Sequence, residues 1–358
     1  MITKSEQEQI MEEAIGSKIS DYLIKPVNPH QILLTIKKNL EFSKLIDNKT
    51  NSDYQRDFLS IGTMINEVSS FNDWAEIYKK IVYWELELDS LQENNMLEIL
   101  LNQKRDANVT FFKYMKKKYI ELIQNQKDNN ITLSKDVFRN YVVPKMSHTN
   151  SVFFLLIDNL RFDQWKIIQP LLEPYFSITE NMYCSILPTA TQYSRNTIFS
   201  GMFPSEMKIK FPHLWLDDID EGGKNLHEQD FLTHQLKSLN YFEKFSFNKV
   251  FNLDHGKKMV ARMNEFLNKS LNVIIYNFVD ILSHSKTEMR MIKELANNEK
   301  SYRDLTLTWF KNSPLFELLK QLSNSNAQII ITSDHGTINV NEPSKVVGEK
   351  TISSNFSK

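Results

Sequence analysis

Residues 152–163 read Val-Phe-Phe-Leu-Leu-Ile-Asp-Asn-Leu-Arg-Phe-Asp, and this stretch decides the fold class of the C-terminal part of the chain. Its first six residues are apolar, aromatic or β-branched, and they are too few for a helix, so they predict a strand buried on both faces. Similar runs occupy residues 273–278 and 328–332. Strands of this kind, separated by segments with helical periodicity, predict an α/β domain with a parallel sheet.

Each of these three predicted strands is followed by side chains that can bind a metal. The residues concerned are Asp158 after the first strand, Asp280 and His284 after the second, and Asp334 and His335 after the third. Because ligands bind beside the carboxyl ends of strands in open α/β sheets, we expect these side chains to meet at one edge. Carboxylates with imidazoles suit zinc, and two such clusters predict a two-metal site.

A hydroxyl group suitable as a nucleophile lies at Thr191, within the segment 187–201 that ends in Gly201. We expect a helix to begin near Thr191, so that the helix dipole and the free N–H groups receive phosphate oxygens. Taken singly, Asp158 and Thr191 could be helix caps, and residues 334–336 could be an ordinary turn. Their joint placement after three strands favours an in-line phosphoryl-transfer site in which a metal activates Thr191.

Composition excludes several other classes of protein. The 358 residues carry a net charge of -1, which gives no basic excess for nonspecific nucleic-acid binding, and no Gly-rich nucleotide-binding loop is present. A single cysteine, Cys184, excludes an intramolecular disulfide and favours a reducing cytoplasm. No apolar run approaches the roughly 20 residues that span a bilayer. We therefore expect a cytoplasmic protein without a membrane anchor.

The motifs around Asp158, Thr191, Asp280 and Asp334 resemble the PglZ branch of the alkaline phosphatase superfamily. The resemblance implies one zinc held by Asp158, Thr191, Asp334 and His335, and a second zinc held by Asp280 and His284. The superfamily supplies one more histidine to the second zinc from beyond the Asp-His-Gly block. No histidine follows His335 here, so we expect a chain that is truncated and a second site that lacks this ligand.

Thr191 stands four residues before Arg195, which is similar to the nucleophile-x-x-x-Arg spacing of related sulfatases and phosphonate monoester hydrolases. The side chain of Arg195 or Arg161 could neutralise the non-bridging oxygens of the substrate. The residues that would clamp a second ester group cannot be identified from the sequence. A phosphomonoesterase or a sulfatase therefore stays open beside a phosphodiesterase.

The first 42 residues resemble the C-terminal third of a CheY-like receiver domain. Thr3 looks like the switch Thr/Ser, Tyr22 like the switch aromatic residue, and Lys25 like the lysine of the Lys-Pro step. The acidic pair and the phospho-acceptor aspartate of that family do not occur in this segment. We therefore expect a truncated receiver that does not accept phosphate.

Residues 43–147 show apolar positions at helical spacing and predict a helical bundle, with a polar linker at 47–53 and later helices at 88–103 and 109–126. We thus predict three domains, at residues 1–42, 43–147 and 148–358.

This domain order resembles the PorX family of response regulators of Bacteroidetes. The resemblance implies a sensor histidine kinase partner, homodimerisation on phosphorylation of the full-length protein, a downstream sigma factor and a link to type IX secretion. It also implies zinc-dependent phosphodiesterase activity on oligonucleotides. The alternative is a non-catalytic scaffold that binds a sigma factor or another partner through the PglZ-like domain.

Overall fold

The computed structural model describes residues 2–3, 23–91, 95–124, 131–146 and 150–340. The chain folds into two compact units, residues 1–131 and residues 132–358. Within the described residues, each helix is too short or too polar to cross a lipid bilayer.

In its described residues, the first unit contains a two-stranded parallel pair and three long helices. Its elements are β1 (Ile2–Thr3), β2 (Leu23–Ile24), α1 (Pro29–Glu67), α2 (Phe71–Asp89) and α3 (Asn95–Gln124). Of the residues matched to the receiver switch, Lys25 is exposed, while Tyr22 and the side chain of Thr3 lie outside the described part of the chain. Asn28 caps α1 by accepting a hydrogen bond from the N–H of His30.

The three helices share an apolar core to which α1, α2 and α3 each contribute. The members of that core are Tyr54, Ile61, Ile65, Trp74, Ile77, Ile81, Trp84, Leu88, Leu100 and Ala107. Two expectations about helix boundaries were wrong. The polar segment 47–53 is part of α1, and α3 is one helix where we predicted two, because the polar residues near 104–108 interrupt the apolar pattern without breaking the helix.

The second unit is built on a parallel sheet in the order β4-β5-β3-β6. Its strands are β3 (Val152–Ile157), β4 (Phe245–Val250), β5 (Leu271–Tyr276) and β6 (Gln328–Thr332). The α/β fold class with a parallel sheet is therefore confirmed. Strand β4 was not predicted. Strand β5 ends two residues earlier than expected, because its pairing with β3 stops at Tyr276, the partner of Ile157.

Helices cover both faces of this sheet. They are α4 (Phe162–Ile168), α5 (Thr191–Ser200), α6 (Pro204–Lys210), α7 (Glu228–Ser238), α8 (Leu253–Ala261), α9 (Met263–Leu267), α10 (Phe278–Glu288), α11 (Arg290–Leu295), α12 (Glu299–Asn312) and α13 (Pro314–Leu322). Alternate β3 residues pack on opposite faces: Phe153 and Leu155 lie in the layer with α13, and Phe154 and Leu156 lie in the layer with α5.

The order of the strands places a topological switch point between β3 and β5. The chain leaves β3 toward β4 on one side, and it leaves β5 toward β6 on the other side. Such a switch opens a crevice at the carboxyl ends of the two strands, which is where α/β proteins bind ligands. The three groups of candidate residues all follow the carboxyl ends of β3, β5 and β6.

Candidate metal and phosphoryl-transfer site

Four of the candidate side chains meet at the carboxyl edge of the sheet. One carboxylate oxygen of Asp158, one of Asp334 and a ring nitrogen of His335 lie within 4.8 Å of one another. The Oγ1 atom of Thr191 lies 2.9 Å from Nε2 of His335 and 3.5 Å from Oδ1 of Asp158. The structure therefore brings together the four residues that the sequence assigned to the first zinc.

The electrostatics of this cluster fit a divalent cation. Asp158 and Asp334 are buried. Burial, followed by the nearby carboxylate of Asp158, raises the pKa of Asp334 well above its usual range, and burial also raises the pKa of Asp158. The Oδ2 atom of Asp334 is buried, and among the described residues it has no hydrogen-bond partner. Two buried carboxylates with an unsatisfied oxygen at their centre are stabilised by a cation between them.

His335 is suited to the same role. Burial disfavours the imidazolium and lowers the pKa of His335, so the ring is neutral at pH 7. Neutral imidazole and carboxylate are the protonation states that bind zinc. Its Nε2 atom lies 3.6 Å from Oδ1 of Asp158 and 3.6 Å from Oδ2 of Asp334, close enough for all three groups to share one ion.

Thr191 owes its position to the start of α5. Ala190, the N-cap residue, has extended backbone angles, and its carbonyl accepts hydrogen bonds from the N–H groups of Tyr193 and Ser194. Alanine has no polar side chain that could cap the helix, so the earliest N–H groups of α5 can receive an anionic oxygen. The helix ends at Gly201, whose φ of 65° lies in the left-handed region that favours glycine.

Arg195 lies away from the solvent, between two carboxylates. Its Nη1 atom is 2.5 Å from Oδ2 of Asp158, and its Nε and Nη2 atoms are 2.7 and 2.9 Å from the two oxygens of Glu228. Although burial opposes the charged form, Glu228 and Asp158 raise the pKa of Arg195. Lys249 on β4 contacts Glu228 at 2.7 Å from the other side. The guanidinium thus orients Asp158, whereas we expected it to contact substrate oxygens.

Arg161 is also held by carboxylates. It contacts Asp163 at 2.7 Å and Glu299 at 2.6 Å, and it is largely buried. Gly336 packs against it, since a Cβ atom there would lie 3.1 Å from Cγ of Arg161. Glycine therefore allows the loop after His335 to approach Arg161.

The second pair of predicted ligands lies on α10. Asp280 is in the first turn, and Nε2 of His284 lies 3.6 Å from Oδ2 of Asp280. The side chain of His284 is more than half exposed, so it can rotate toward an ion without breaking a buried contact. Burial is the main cause of the raised pKa of Asp158, and the carboxylate of Asp280 adds to it because the two negative charges repel each other.

Sequence reasoning missed four residues that support these ligands. They are Asn159, Glu228, Lys249 and Asn277. Two of them carried a signal, because polar amides lie at the same edge as the acidic ligands: Asn159 is the second residue after β3, and Asn277 is the first residue after β5. Glu228 and Lys249 carried none, since their partners are distant in sequence.

A comparison with protein families adds independent support. A family model described as the BREX system PglZ alkaline phosphatase-like domain matches residues 137–356, more than half of the chain. The chain belongs to this PglZ family. A second model, the PorX response regulator linker domain, matches residues 44–123. The PglZ match with the linker match confirms the resemblance to PorX-like regulators and supports a response regulator with a phosphatase-like output domain. A comparison with curated proteins found no match.

Proposed function

We propose that this chain is a response regulator whose PglZ domain is a zinc-dependent phosphodiesterase with Thr191 as the nucleophile. The observation that carries the proposal is the placement of Oγ1 of Thr191, which lies 2.9 Å from His335 at the start of a helix and beside two buried carboxylates. Asp158, Thr191, Asp334 and His335 would hold one zinc, and Asp280 and His284 the second. Zinc bound there would lower the pKa of the Thr191 hydroxyl and stabilise negative charge on the leaving oxygen.

The chemistry of the chain's own residues follows from this arrangement. The Thr191 hydroxyl gives its proton to water, its Oγ1 atom forms a bond to phosphorus, the bond from phosphorus to the leaving ester oxygen breaks, and the leaving alcohol takes a proton from water. A water molecule then attacks the phosphorus of the threonyl phosphodiester, the bond from phosphorus to Oγ1 breaks, Oγ1 takes up the proton that this water loses, and a phosphate monoester leaves. The N-terminal N–H groups of α5 receive the non-bridging oxygens. Asp158 is held in place throughout by Arg195.

The charges around Thr191 favour a diester substrate over a monoester. Arg195 is bound to Asp158 and Glu228, and Arg161 is bound to Asp163 and Glu299. Neither guanidinium is positioned to neutralise the second negative charge of a phosphate monoester. A diester group carries a single negative charge and needs less neutralisation. We therefore favour a phosphodiesterase over a phosphomonoesterase, and oligonucleotides are the substrate class that the PorX resemblance implies.

The regulatory setting is part of the same proposal. By its resemblance to PorX regulators, the protein would receive its signal from a sensor histidine kinase, dimerise on phosphorylation in the full-length protein and act on a sigma factor linked to type IX secretion. We place it in the cytoplasm and keep the division into domains at 1–42, 43–147 and 148–358 as part of this proposal.

Hydrolysis of a chromogenic phosphate diester, compared with the corresponding monoester, tests the proposed activity. We expect zinc-dependent turnover of the diester that exceeds turnover of the monoester by at least about tenfold, because one guanidinium–phosphate contact contributes on the order of 1.5–3 kcal/mol. A chelator should abolish turnover, and added zinc should restore it. A folded, zinc-loaded protein that hydrolyses neither ester would contradict the proposal and favour a non-catalytic scaffold.

In the metal-free protein, Asp334 should contribute a loss of stability as pH rises from about 4 toward neutrality. Asp334 has a raised pKa in the folded state, so between its unfolded and folded pKa values the folded state binds more protons, and each increase in pH favours unfolding. Asp334→Asn should flatten this dependence in urea unfolding, and it should also remove most of the increase in Tm that zinc produces. If Asp334→Asn shows the same pH dependence of stability and the same zinc-induced increase in Tm as the wild type, this role of Asp334 is contradicted.

A further inference from the structure

Asn159 makes one contact to each of the two proposed metal sites. Its φ of 63° lies in the left-handed region, which asparagine tolerates better than most residues. In this conformation its backbone N–H donates to Oδ1 of Asp334 at 3.2 Å, and its side-chain Nδ2 donates to Oδ1 of Asp280 at 3.3 Å. One residue therefore holds a carboxylate of the first site and a carboxylate of the second.

Asn277 makes the reverse connection. It follows β5 directly and precedes α10, the helix that carries Asp280. Its Nδ2 atom donates to Oδ2 of Asp158 at 3.3 Å. Asn159, which lies beyond the end of β3, thus holds Asp280, a ligand beyond the end of β5. Asn277, which lies beyond the end of β5, holds Asp158, a ligand beyond the end of β3. The two strands are neighbours in register at the switch point of the sheet, so the two hydrogen bonds cross between adjacent strand ends.

The amide oxygens of Asn159 and Asn277 support a role in the site. Both Oδ1 atoms are buried, and neither has a hydrogen-bond partner within the described residues. An unpaired buried oxygen is costly, as is the left-handed conformation of Asn159, and such costs concentrate at functional sites. The unpaired amide oxygens and the left-handed residue all lie at the carboxyl edge of the sheet, where the proposed metal ligands meet.

We propose that Asn159 and Asn277 form an asparagine clasp that orients Asp280 and Asp158 toward each other and couples the two metal sites. This inference rests on the proposed two-metal function. The asparagines are positioning residues, because they act through the carboxylates that they hold. Hydrogen bonds to ligating carboxylates determine ligand orientation and metal affinity. The clasp would therefore make occupancy of each site raise the affinity of the other.

Zinc titration by calorimetry, with metal content measured independently, tests the clasp. Asn159→Gly keeps the backbone conformation and the N–H bond to Asp334 but removes the bond to Asp280. It should weaken zinc binding at the Asp280 site about 10- to 100-fold, and through the lost coupling it should also weaken the first site, by a smaller factor. Asn277→Ala should have the reverse effect, with the larger loss of affinity at the first site. Asn240→Gly is the matched control, since Asn240 has a φ of 60° and is exposed at the end of α7. If the zinc titrations of Asn159→Gly and Asn277→Ala both match that of the wild type, the inference is overturned.

A second measurement separates the clasp from the proposed function. In metal-free protein, thermal unfolding is compared for Asn159→Gly, Asp280→Ala and the double variant. If the clasp forms, the shifts in Tm should be non-additive, because removal of Asp280 already removes the partner of Asn159. Additive shifts would overturn the clasp. A wild-type protein that binds a single zinc would contradict the two-metal proposal, while the metal-free cycle would still decide whether Asn159 holds Asp280.

Discussion

Replacing Thr191 by valine should lower diester hydrolysis by at least about a thousandfold and leave the protein folded. Valine keeps the shape of threonine but lacks the Oγ1 atom that lies between His335 and Asp158. The carboxylates and His335 remain, so zinc should still bind, with some loss of affinity. Thr191→Ser restores a hydroxyl and should recover part of the rate. Steady-state kinetics at saturating zinc, with metal content measured for each variant, check this expectation.

A matched control lies in the same helix. Thr197 is also on α5, and its Oγ1 atom is buried and finds no hydrogen-bond partner in the part of the chain that the structure describes. Thr197→Val should therefore leave turnover unchanged and keep or raise stability, because it removes an unsatisfied buried hydroxyl. If Thr191→Val hydrolyses the diester at the wild-type rate with zinc bound, Thr191 is not the nucleophile. A loss of rate shared by both variants would point to a disturbed α5.

Three strands of the sheet could be predicted because their apolar runs are too short for helices and show no competing periodicity. Strands β3 and β5 are buried along their whole length, as expected, whereas β6 lies at one end of the described strand order and is only partly buried. Strand β4, at the other end, escaped prediction because its sequence Phe-Ser-Phe-Asn-Lys-Val alternates polar with apolar residues. An edge strand of this kind resembles an exposed segment when no partner strand is known.

The geometry of the site could be predicted only in part. Residues at the carboxyl ends of parallel strands must share one edge, and this rule brought Asp158, Asp334 and His335 together without knowledge of their distances. The side-chain partners of Arg195 could not be predicted in the same way. The spacing of four residues places it on the same face of α5 as Thr191. Whether it turns toward substrate or toward protein depends on Glu228, which lies 33 residues later on α7.

Replacing Arg195 by methionine should destabilise the metal-free protein by about 3–5 kcal/mol. The substitution keeps most of the apolar stem but removes the charge that lies between Asp158 and Glu228, both of which are fully buried. Removing one partner of a buried ion pair leaves a buried charge without a counter-charge. The free-energy cost of that charge exceeds the net stabilisation that the pair provides. Chemical unfolding of the chelator-treated protein measures this loss. As a matched control, Arg290→Met removes an exposed pair with Glu294 and should leave stability unchanged.

Zinc binding should restore part of the stability that Arg195→Met loses, and the loss from a second substitution should be less than additive. Zinc places a cation beside Asp158, so the cost of Arg195→Met should be smaller in zinc-loaded protein than in metal-free protein. Adding Glu228→Gln removes a carboxylate that would then be paired by Lys249 alone, so the double variant should be more stable than the sum of the two single losses predicts. Catalysis should not recover with it, because Asp158 would still lack the hydrogen bond that orients it toward the metal. An Arg195→Met protein as stable as the wild type without zinc would contradict this structural role of Arg195. In that case Arg195 would be free to contact substrate, the role that its spacing from Thr191 first suggested.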